Sequence, residues 1–193
     1  MLKNKLRNYK IILASQSSRR QELLKGLDID FEIKVQSVNE HYSSELQGVE
    51  ITDYLSELKA TPFTQDLKKE ELLITSDTIV WLNGQALEKP RNLDHAREML
   101  MKMSGQTHSV FTSVSFTTVD GIQTINDETR VTFKNLDVDE IDYYLKIYQP
   151  YDRAGAYGIQ DWIGYVAINK IDGCYYNVMG LPLPKVYAYL SKL

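Results

Sequence analysis

At residues 72–82 the sequence runs Leu72-Leu-Ile-Thr-Ser-Asp-Thr-Ile-Val-Trp-Leu82, and Asn83-Gly84 follows directly. A run of aliphatic and β-branched residues that is bounded by a turn dipeptide is typical of a strand. Asn-Gly is the strongest short-range hairpin signal, because both central residues of a type I′ turn need positive φ. We therefore predict a strand here that turns back on itself at residues 83–84.

Strands and helices alternate on both sides of this run. This order predicts an α/β fold with a mixed β-sheet that is flanked by helices. The expected elements are a strand at 9–14, a helix from Ser17 or Ser18 to about Gly26, a half-buried strand at 30–35, a helix at 49–60, a helix from Asn92 to about Gly105, a hairpin of strands at 107–119 and 122–133, a helix behind the capping box of Asp137 and Glu140, a strand at 162–171 and a helix at 182–192.

Composition limits the class of protein. The chain has 193 residues, so we expect a single domain over residues 1–193. Its formal net charge of −4 argues against non-specific nucleic-acid binding, which usually accompanies a basic excess. One cysteine cannot form an internal disulfide, and no apolar run approaches the ~20 residues of a membrane helix. We therefore expect a soluble cytoplasmic protein without nucleic-acid or membrane partners.

Asp77 is an informative polar residue, because it lies inside the apolar run Leu73–Val80. An unpaired buried carboxylate is costly, so Asp77 needs a metal ion, a lysine, a donor network or a place at an open cleft. A purely structural ion pair is the alternative. Counting back from the hairpin turn places Lys89 roughly opposite residues 77–78, although Lys89 by itself is better explained as an edge-strand lysine.

The segment Ser15-Gln-Ser-Ser-Arg-Arg20 lies between a predicted strand and a predicted helix. Free backbone N–H groups at a helix start favour an anion, and Arg19 and Arg20 can bind phosphate oxygens. A capped surface helix with two solvated arginines explains the same residues. Glu40, in a polar loop, is either a second carboxylate ligand or a solvated charge. Lys59 ends the predicted helix at 49–60, where a cation is favourable for the helix dipole alone.

Seven short segments, spread over nearly the whole chain, form a more specific pattern. They are Leu13-Ala-Ser-Gln-Ser-Ser-Arg-Arg-Gln-Glu-Leu-Leu24, Ser76-Asp-Thr-Ile-Val80, Glu88-Lys-Pro90, Gly105-Gln-Thr-His-Ser-Val-Phe-Thr112, Glu128-Thr-Arg-Val-Thr-Phe133, Gly155-Ala-Tyr-Gly-Ile-Gln160 and Asn177-Val-Met-Gly-Leu-Pro182. Taken in this order, they resemble the Maf family of septum-formation-type nucleoside triphosphate pyrophosphatases.

The resemblance implies a Maf/ITPase-like fold, in which a mixed sheet forms two lobes around a central cleft. It also implies an enzyme, a nucleoside triphosphate diphosphatase that depends on a divalent cation, Mg²⁺ or Mn²⁺. Asp77 matches the family's catalytic acid, which is described as the proton acceptor. The other matches are Ser15, Arg19 and Arg20 in the phosphate loop, and Glu40, Lys59 and Lys89 among the cleft charges. Hydrolysis of a triphosphate calls for Mg²⁺ held by carboxylates, and Glu40 and Asp77 can supply these metal ligands.

Arg19, Thr78 and Gln160 match positions that are tied to base selectivity. Glutamine at position 160 resembles the branch of dTTP/UTP pyrophosphatases, whereas the branch that acts on 7-methyl-GTP has glutamate there. The chain departs from the common family pattern at three positions: Ser18 replaces proline, Gly158 replaces alanine, and Asp161 replaces the glycine after the glutamine. Asp161 puts a carboxylate next to the expected base-reading residue.

The leading hypothesis is an enzyme that hydrolyses dTTP and UTP, and modified pyrimidine nucleotides as a further option, to the monophosphate and pyrophosphate. Two alternatives stay open: a pyrophosphatase for 7-methyl-GTP or other purine nucleotides, and a nucleotide-binding regulator of septum formation with little turnover. The sequence does not decide the oligomeric state, for which a homodimer is one option.

Overall fold

A computed structural model describes all residues from 1 to 193 and contains one seven-stranded sheet. The strands are β1 (Lys10–Leu13), β2 (Glu32–Ile33), β3 (Glu71–Leu82), β4 (Gln85–Leu87), β5 (Thr107–Thr118), β6 (Gly121–Phe133) and β7 (Ile168–Asp172). The strand order is β2-β1-β3-β5-β6-β7, and β4 also pairs with β3. β1 runs parallel to β2 and β3, and the other pairs are antiparallel, which confirms the predicted mixed sheet.

Eight α-helices flank this sheet, and none has the length and apolarity needed to span a membrane. Ser17 caps α2 by accepting a hydrogen bond from the Arg20 N–H, and Asp137 forms the predicted capping box with Glu140 at α5. The helices are α1 (Leu2–Lys5), α2 (Ser18–Lys25), α3 (Val49–Leu58), α4 (Leu93–Met103), α5 (Val138–Tyr148), α6 (Trp162–Ala167), α7 (Tyr175–Met179) and α8 (Leu183–Leu190), with 3₁₀ turns at Thr61–Phe63 and Ala154–Ala156.

β3 is the strand on which the functional site is built. One of its edges pairs with β5 along residues 73–81. The other edge pairs with β1 over residues 71–74 and with β4 over residues 80–82. Residues 75–79 therefore have no strand partner on this second edge, which leaves a gap in the sheet beside Asp77.

The side chains on one face of β3 divide the core into two lobes. Side chains alternate between the faces of a strand, so every second residue from Leu72 onward lies on this face. Leu72 and Ile74 belong to a hydrophobic cluster with α1, β1, α2 and α8, whereas Val80 belongs to a cluster with α4, α5 and α6. The polar residues Ser76 and Thr78 separate the two clusters, so the boundary between the lobes falls at the gap in the sheet.

Helix α3 covers the opposite face of β3 and contacts it through hydroxyl groups as well as aliphatic side chains. Thr75 Oγ1 donates a hydrogen bond to the Ser56 carbonyl at 2.7 Å, and Ser56 Oγ lies 2.7 Å from Ser115 Oγ on β5. These contacts fix the helix against the strand one turn before its C-cap, Lys59. The Lys59 ammonium is thereby placed next to Asp77.

Two sequence predictions are wrong in detail. Residues 162–171 form α6 followed by β7 rather than one strand, because Ile163 and Ala167, four positions apart, are both buried in the same cluster. Only two residues of the predicted strand at 30–35 pair with β1, and Ile33 and Val35 are exposed rather than half-buried. The short helices α1 and α7 were not predicted.

Candidate active site

A cleft of about 230 Å³ opens at the gap beside β3, between the two lobes. Five cationic side chains and four carboxylates line it, although the chain as a whole carries a net negative charge. The cleft can attract an anion, because the potential there depends on the local charges. The charged lining residues are Arg19, Arg20, Lys59, Lys89, Arg153, Glu40, Asp77, Glu88 and Asp152.

Asp77 is only 7 % exposed and lines this cleft. Lys59 Nζ lies 2.6 Å from Asp77 Oδ1 and 3.1 Å from Glu40 Oε2, so one ammonium joins a carboxylate of β3 to a carboxylate of the loop before α3. The partner of Asp77 is thus Lys59 rather than Lys89, because the C-cap of α3 reaches the carboxylate. A positioned carboxylate at an open cleft can accept a proton from a bound water.

Lys89 follows the Asn83-Gly84 hairpin, which adopts the predicted positive φ angles. Strand pairing ends at Leu87, so the next residues leave the sheet where the gap begins. Lys89 lines the cleft, is exposed and forms no ion pair, which leaves its ammonium free for a ligand. Its neighbour Glu88 instead accepts a hydrogen bond from Tyr42 at 2.6 Å, and burial together with this bond raises the pKa of Tyr42 to about 12.

The predicted phosphate loop connects β1 to α2, and only some of its residues line the cleft. Ser17 lines the cleft, whereas Ser15 is buried outside its lining and accepts a hydrogen bond from the Ser17 N–H at 3.2 Å. Ser15 therefore shapes the turn, and its expected contact with a ligand stays a prediction. Arg19 lines the cleft and donates a hydrogen bond to Asp152 at 3.0 Å. Partial burial opposes ionisation of Asp152, but the Arg19 bond and charge outweigh it and lower the pKa of Asp152.

Arg20 is anchored to the protein on three sides. Its Nε, Nη1 and Nη2 donate hydrogen bonds at 2.9, 2.8 and 2.9 Å to the Gly180 carbonyl, the Ser76 carbonyl and Thr78 Oγ1. The Ser76 carbonyl belongs to the stretch of β3 without a strand partner, so the guanidinium satisfies a backbone group that the gap would leave unpaired. Burial lowers the pKa of Arg20. The structure thus gives Arg20 a scaffold role, and its contact with phosphates stays a prediction.

Gln160 also lines the cleft, at the end of the turn that follows the second 3₁₀ helix. Its Oε1 is buried and has no hydrogen-bond partner. A buried acceptor without a partner costs free energy. A ligand that donates an N–H group to Gln160 Oε1 would therefore bind more tightly, because the new hydrogen bond removes this cost.

Sequence reasoning missed Asp152 and Arg153, which line the cleft just before the Gly155–Gln160 segment. Arg153 pairs with Asp161, and its Nε lies 3.5 Å from Asp152 Oδ1. Burial lowers the pKa of Arg153. A signal was available in the sequence, since the Asp152-Arg153 pair is separated by one residue, Ala154, from a segment that matches the family.

A family model described as "Maf-like protein" matches residues 10–193. The chain belongs to the Maf family. Similar proteins include a dTTP/UTP pyrophosphatase of Flavobacterium johnsoniae, which is 54 % identical over 193 residues with 100 % of both chains covered. Another dTTP/UTP pyrophosphatase, from Phocaeicola vulgatus, is 49 % identical over 194 residues, again with 100 % of both chains covered. Among solved structures, the Staphylococcus aureus Ham1 protein aligns with a TM-score of 0.49 at 15 % identity, covering 64 % of this chain and 71 % of that one, which is too distant to support a conclusion.

The cleft of this Maf protein brings together all but one of the site residues that were predicted from the sequence. The family assignment, predicted from seven short segments, is confirmed, while the roles of the individual residues stay predictions. The nominated residues that line the cleft are Arg19, Arg20, Glu40, Lys59, Asp77, Thr78, Lys89 and Gln160.

Proposed function

We propose that this Maf protein hydrolyses UTP and dTTP to the nucleoside monophosphate and pyrophosphate. The observation that carries the proposal is that one cleft contains both Asp77 with its lysine partner and Gln160 with its unpartnered Oε1. The first pair suits hydrolysis, and the second residue suits recognition of a base. Relatives that are 54 % and 49 % identical over the full chain bear the name dTTP/UTP pyrophosphatase, which supports the same assignment.

Asp77 is the proposed general base. Water attacks the α-phosphorus, the bond to the bridging oxygen breaks, and pyrophosphate leaves, while the Asp77 carboxylate takes the proton of the water. Asp77 suits this role because the 2.6 Å contact with Lys59 fixes one carboxylate oxygen. The other oxygen, Oδ2, is then available for the water.

The cations of the cleft are the proposed phosphate ligands. Lys89 has no ion-pair partner, and Arg19 uses one guanidinium nitrogen for the Asp152 carboxylate and keeps further N–H groups. A triphosphate concentrates several negative charges on its terminal groups, so these two side chains can stabilise the charge of the leaving pyrophosphate.

Gln160 is the residue that we propose recognises the base of the nucleotide. The edge of uracil and thymine presents the N3–H donor between the O2 and O4 acceptors. The unpartnered Gln160 Oε1 can accept from N3–H while its amide nitrogen donates to a neighbouring carbonyl. A guanine edge presents adjacent N1–H and N2–H₂ donors, which suit a glutamate instead.

A divalent cation, Mg²⁺ or Mn²⁺, is the proposed cofactor. No group of three or more His, Cys, Asp or Glu side chains is placed to hold a metal ion. The Asp77 and Glu40 carboxylates nevertheless converge on Lys59 Nζ, and Mg²⁺ is usually held by one or two carboxylates together with substrate phosphates. The two residues therefore fit such an ion. When bound, it would neutralise negative charge on the phosphates.

Release of pyrophosphate from a panel of nucleotides tests the proposal. UTP, dTTP, GTP and 7-methyl-GTP are each incubated with the full-length protein, with and without Mg²⁺ or Mn²⁺. We expect UTP and dTTP to give the highest kcat/KM, and only with metal present. Preference for 7-methyl-GTP would support the purine alternative, and no release from any nucleotide would leave the regulator of septum formation. The cytoplasmic location and the homodimer stay predictions.

A further inference from the structure

The residue after Gln160 is a carboxylate that is almost fully enclosed. The Asp161 side chain is 11 % exposed, and Asp161 Oδ2 pairs with Arg153 Nη1 and accepts a hydrogen bond from the Tyr144 hydroxyl at 3.0 Å. Arg153 therefore neutralises the carboxylate inside the cleft wall. The negative charge next to Gln160, which was the main departure from the family pattern, does not stand free to repel the carbonyl groups of a pyrimidine.

Asp161 occupies the N-cap position of α6, yet its side chain makes no capping hydrogen bond. Aspartate is among the preferred N-cap residues, because its carboxylate normally accepts from the first free N–H groups of the helix. Here the carboxylate turns to Arg153 and Tyr144 instead. The local helix start thus loses one stabilising contact, and the turn that contains Gln160 gains two.

Tyr144 ties the turn down at a second point. Its hydroxyl accepts a hydrogen bond from the Gly158 N–H at 3.1 Å while it donates to Asp161, so one atom spans both ends of the 158–161 turn. The backbone closes the same turn through a hydrogen bond from the Asp161 N–H to the Gly158 carbonyl at 3.0 Å. Gln160 is therefore held between two anchored residues.

Gly158 explains how Arg153 fits into this wall. A Cβ at position 158 would overlap Arg153 Nη1 and would lie 2.8 Å from Asp161 Oδ2. A larger residue would therefore require the ends of these two side chains to shift. The two departures from the common family pattern, glycine at 158 and aspartate at 161, thus belong to one arrangement.

We propose that Asp161, clamped by Arg153 and Tyr144, is a positioning residue that fixes Gln160 for pyrimidine recognition. The inference rests on the proposed function, since it assumes that Gln160 reads the base. Asp161 itself does not line the cleft and acts only through its neighbour. Because misplacement of a recognising group weakens the matched substrate most, loss of the clamp lowers discrimination between bases rather than catalysis in general.

The experiment measures kcat/KM for UTP and for GTP in the full-length protein and in the variants Asp161→Asn and Tyr144→Phe. We expect the ratio of UTP to GTP to fall about fivefold or more in both variants, within the roughly 100-fold that a misplaced group can cost. The matched control is Asp142→Asn, which removes a carboxylate from an ion pair with Arg97 outside the cleft and should leave the ratio unchanged.

A double variant separates positioning from general damage. Gly158→Ala alone should lower the ratio by displacing Arg153, and the Gly158→Ala/Asp161→Asn pair should be no worse than Asp161→Asn, because both act on one clamp. Equal losses for UTP and GTP in the single variants, or fully additive losses in the double variant, would overturn the inference. If the unmodified protein does not prefer UTP over GTP, the proposed function fails instead.

Discussion

The ammonium of Lys59 lies 2.6 Å from Asp77 Oδ1, at the point where β3 has no strand partner on one edge. The gap exposes Asp77 to the cleft, and the C-cap of α3 supplies the cation that the enclosed carboxylate needs. Glu40 shares the same ammonium at 3.1 Å. Two carboxylates and one lysine from three separate segments therefore form a compact charged centre.

Replacement of Asp77 by asparagine should abolish most turnover while it preserves the fold. We expect kcat to fall by about 10²-fold or more, because asparagine keeps the shape of the side chain but cannot accept the proton. Steady-state kinetics with UTP and Mg²⁺ measure the loss, and circular dichroism checks the fold. Near-normal turnover would mean that Asp77 is only a structural partner of Lys59.

Replacement of Lys59 by methionine should reduce kcat/KM for UTP by about tenfold or more, since a charge-assisted hydrogen bond is lost and two carboxylates face each other without a cation. The control is Lys185→Met, which removes a lysine paired with Asp127 away from the cleft. Similar kinetics for the two variants would show that the contact of Lys59 with Asp77 does not matter for turnover.

Replacement of Gln160 by glutamate should lower kcat/KM for UTP and dTTP by at least about tenfold, or about 1.4 kcal/mol. An ionised glutamate is an acceptor only and repels the pyrimidine carbonyls, whereas it suits the donors of guanine. Thr78→Ala should have a smaller effect, because the Thr78 hydroxyl is already engaged by Arg20 Nη2 and by Thr112 Oγ1. The ratio of kcat/KM for UTP to that for GTP is the measurement, and an unchanged ratio in the glutamate variant would remove Gln160 from base recognition.

The stability of the protein should depend on pH through His108. Burial lowers the pKa of His108 to about 4, and its Nε2 lies 2.8 Å from the Tyr157 hydroxyl. The unfolded chain binds a proton below pH ~6.5 that the folded protein excludes, so the stabilisation is present above this pH and is lost as the pH falls toward 4. From about pH 7.5 to about pH 5 the loss is about 2 kcal/mol.

The variant His108→Gln isolates this contribution. Urea unfolding at both pH values gives the free energy of unfolding of each protein. We expect the variant to show the smaller dependence on pH, by about the amount that His108 contributes in the parent. Equal dependence in the two proteins would show that His108 does not titrate as its burial requires.

Much of the secondary structure that surrounds the site was predictable from local sequence. Asp77 inside an apolar run predicted a carboxylate on a central strand, and Asn83-Gly84 predicted the hairpin, because both signals depend on neighbours in the chain. The caps at Ser17 and Asp137 are local for the same reason. Each of these features is present in the structure.

The contacts that complete the site were less predictable, because they join distant segments. Lys59 is 18 positions from Asp77 in the chain, and only the packing of α3 on β3 brings them together. The hydrogen bonds of Arg20 connect residues 160 and 56 positions apart. The helix at 162–167 was mistaken for a strand, since its short apolar run fits either structure until the burial of Ile163 and Ala167 is known.

The position of a heavy-oxygen label in the products tests the central claim most directly. The full-length protein hydrolyses UTP in isotopically labelled water with Mg²⁺ present, and mass spectrometry locates the label. If water attacks the α-phosphorus with Asp77 as base, the label appears in UMP, the pyrophosphate is unlabelled, and the Asp77→Asn variant forms almost no labelled UMP. Label in pyrophosphate or in free phosphate, or equal labelling by the variant, would contradict the account.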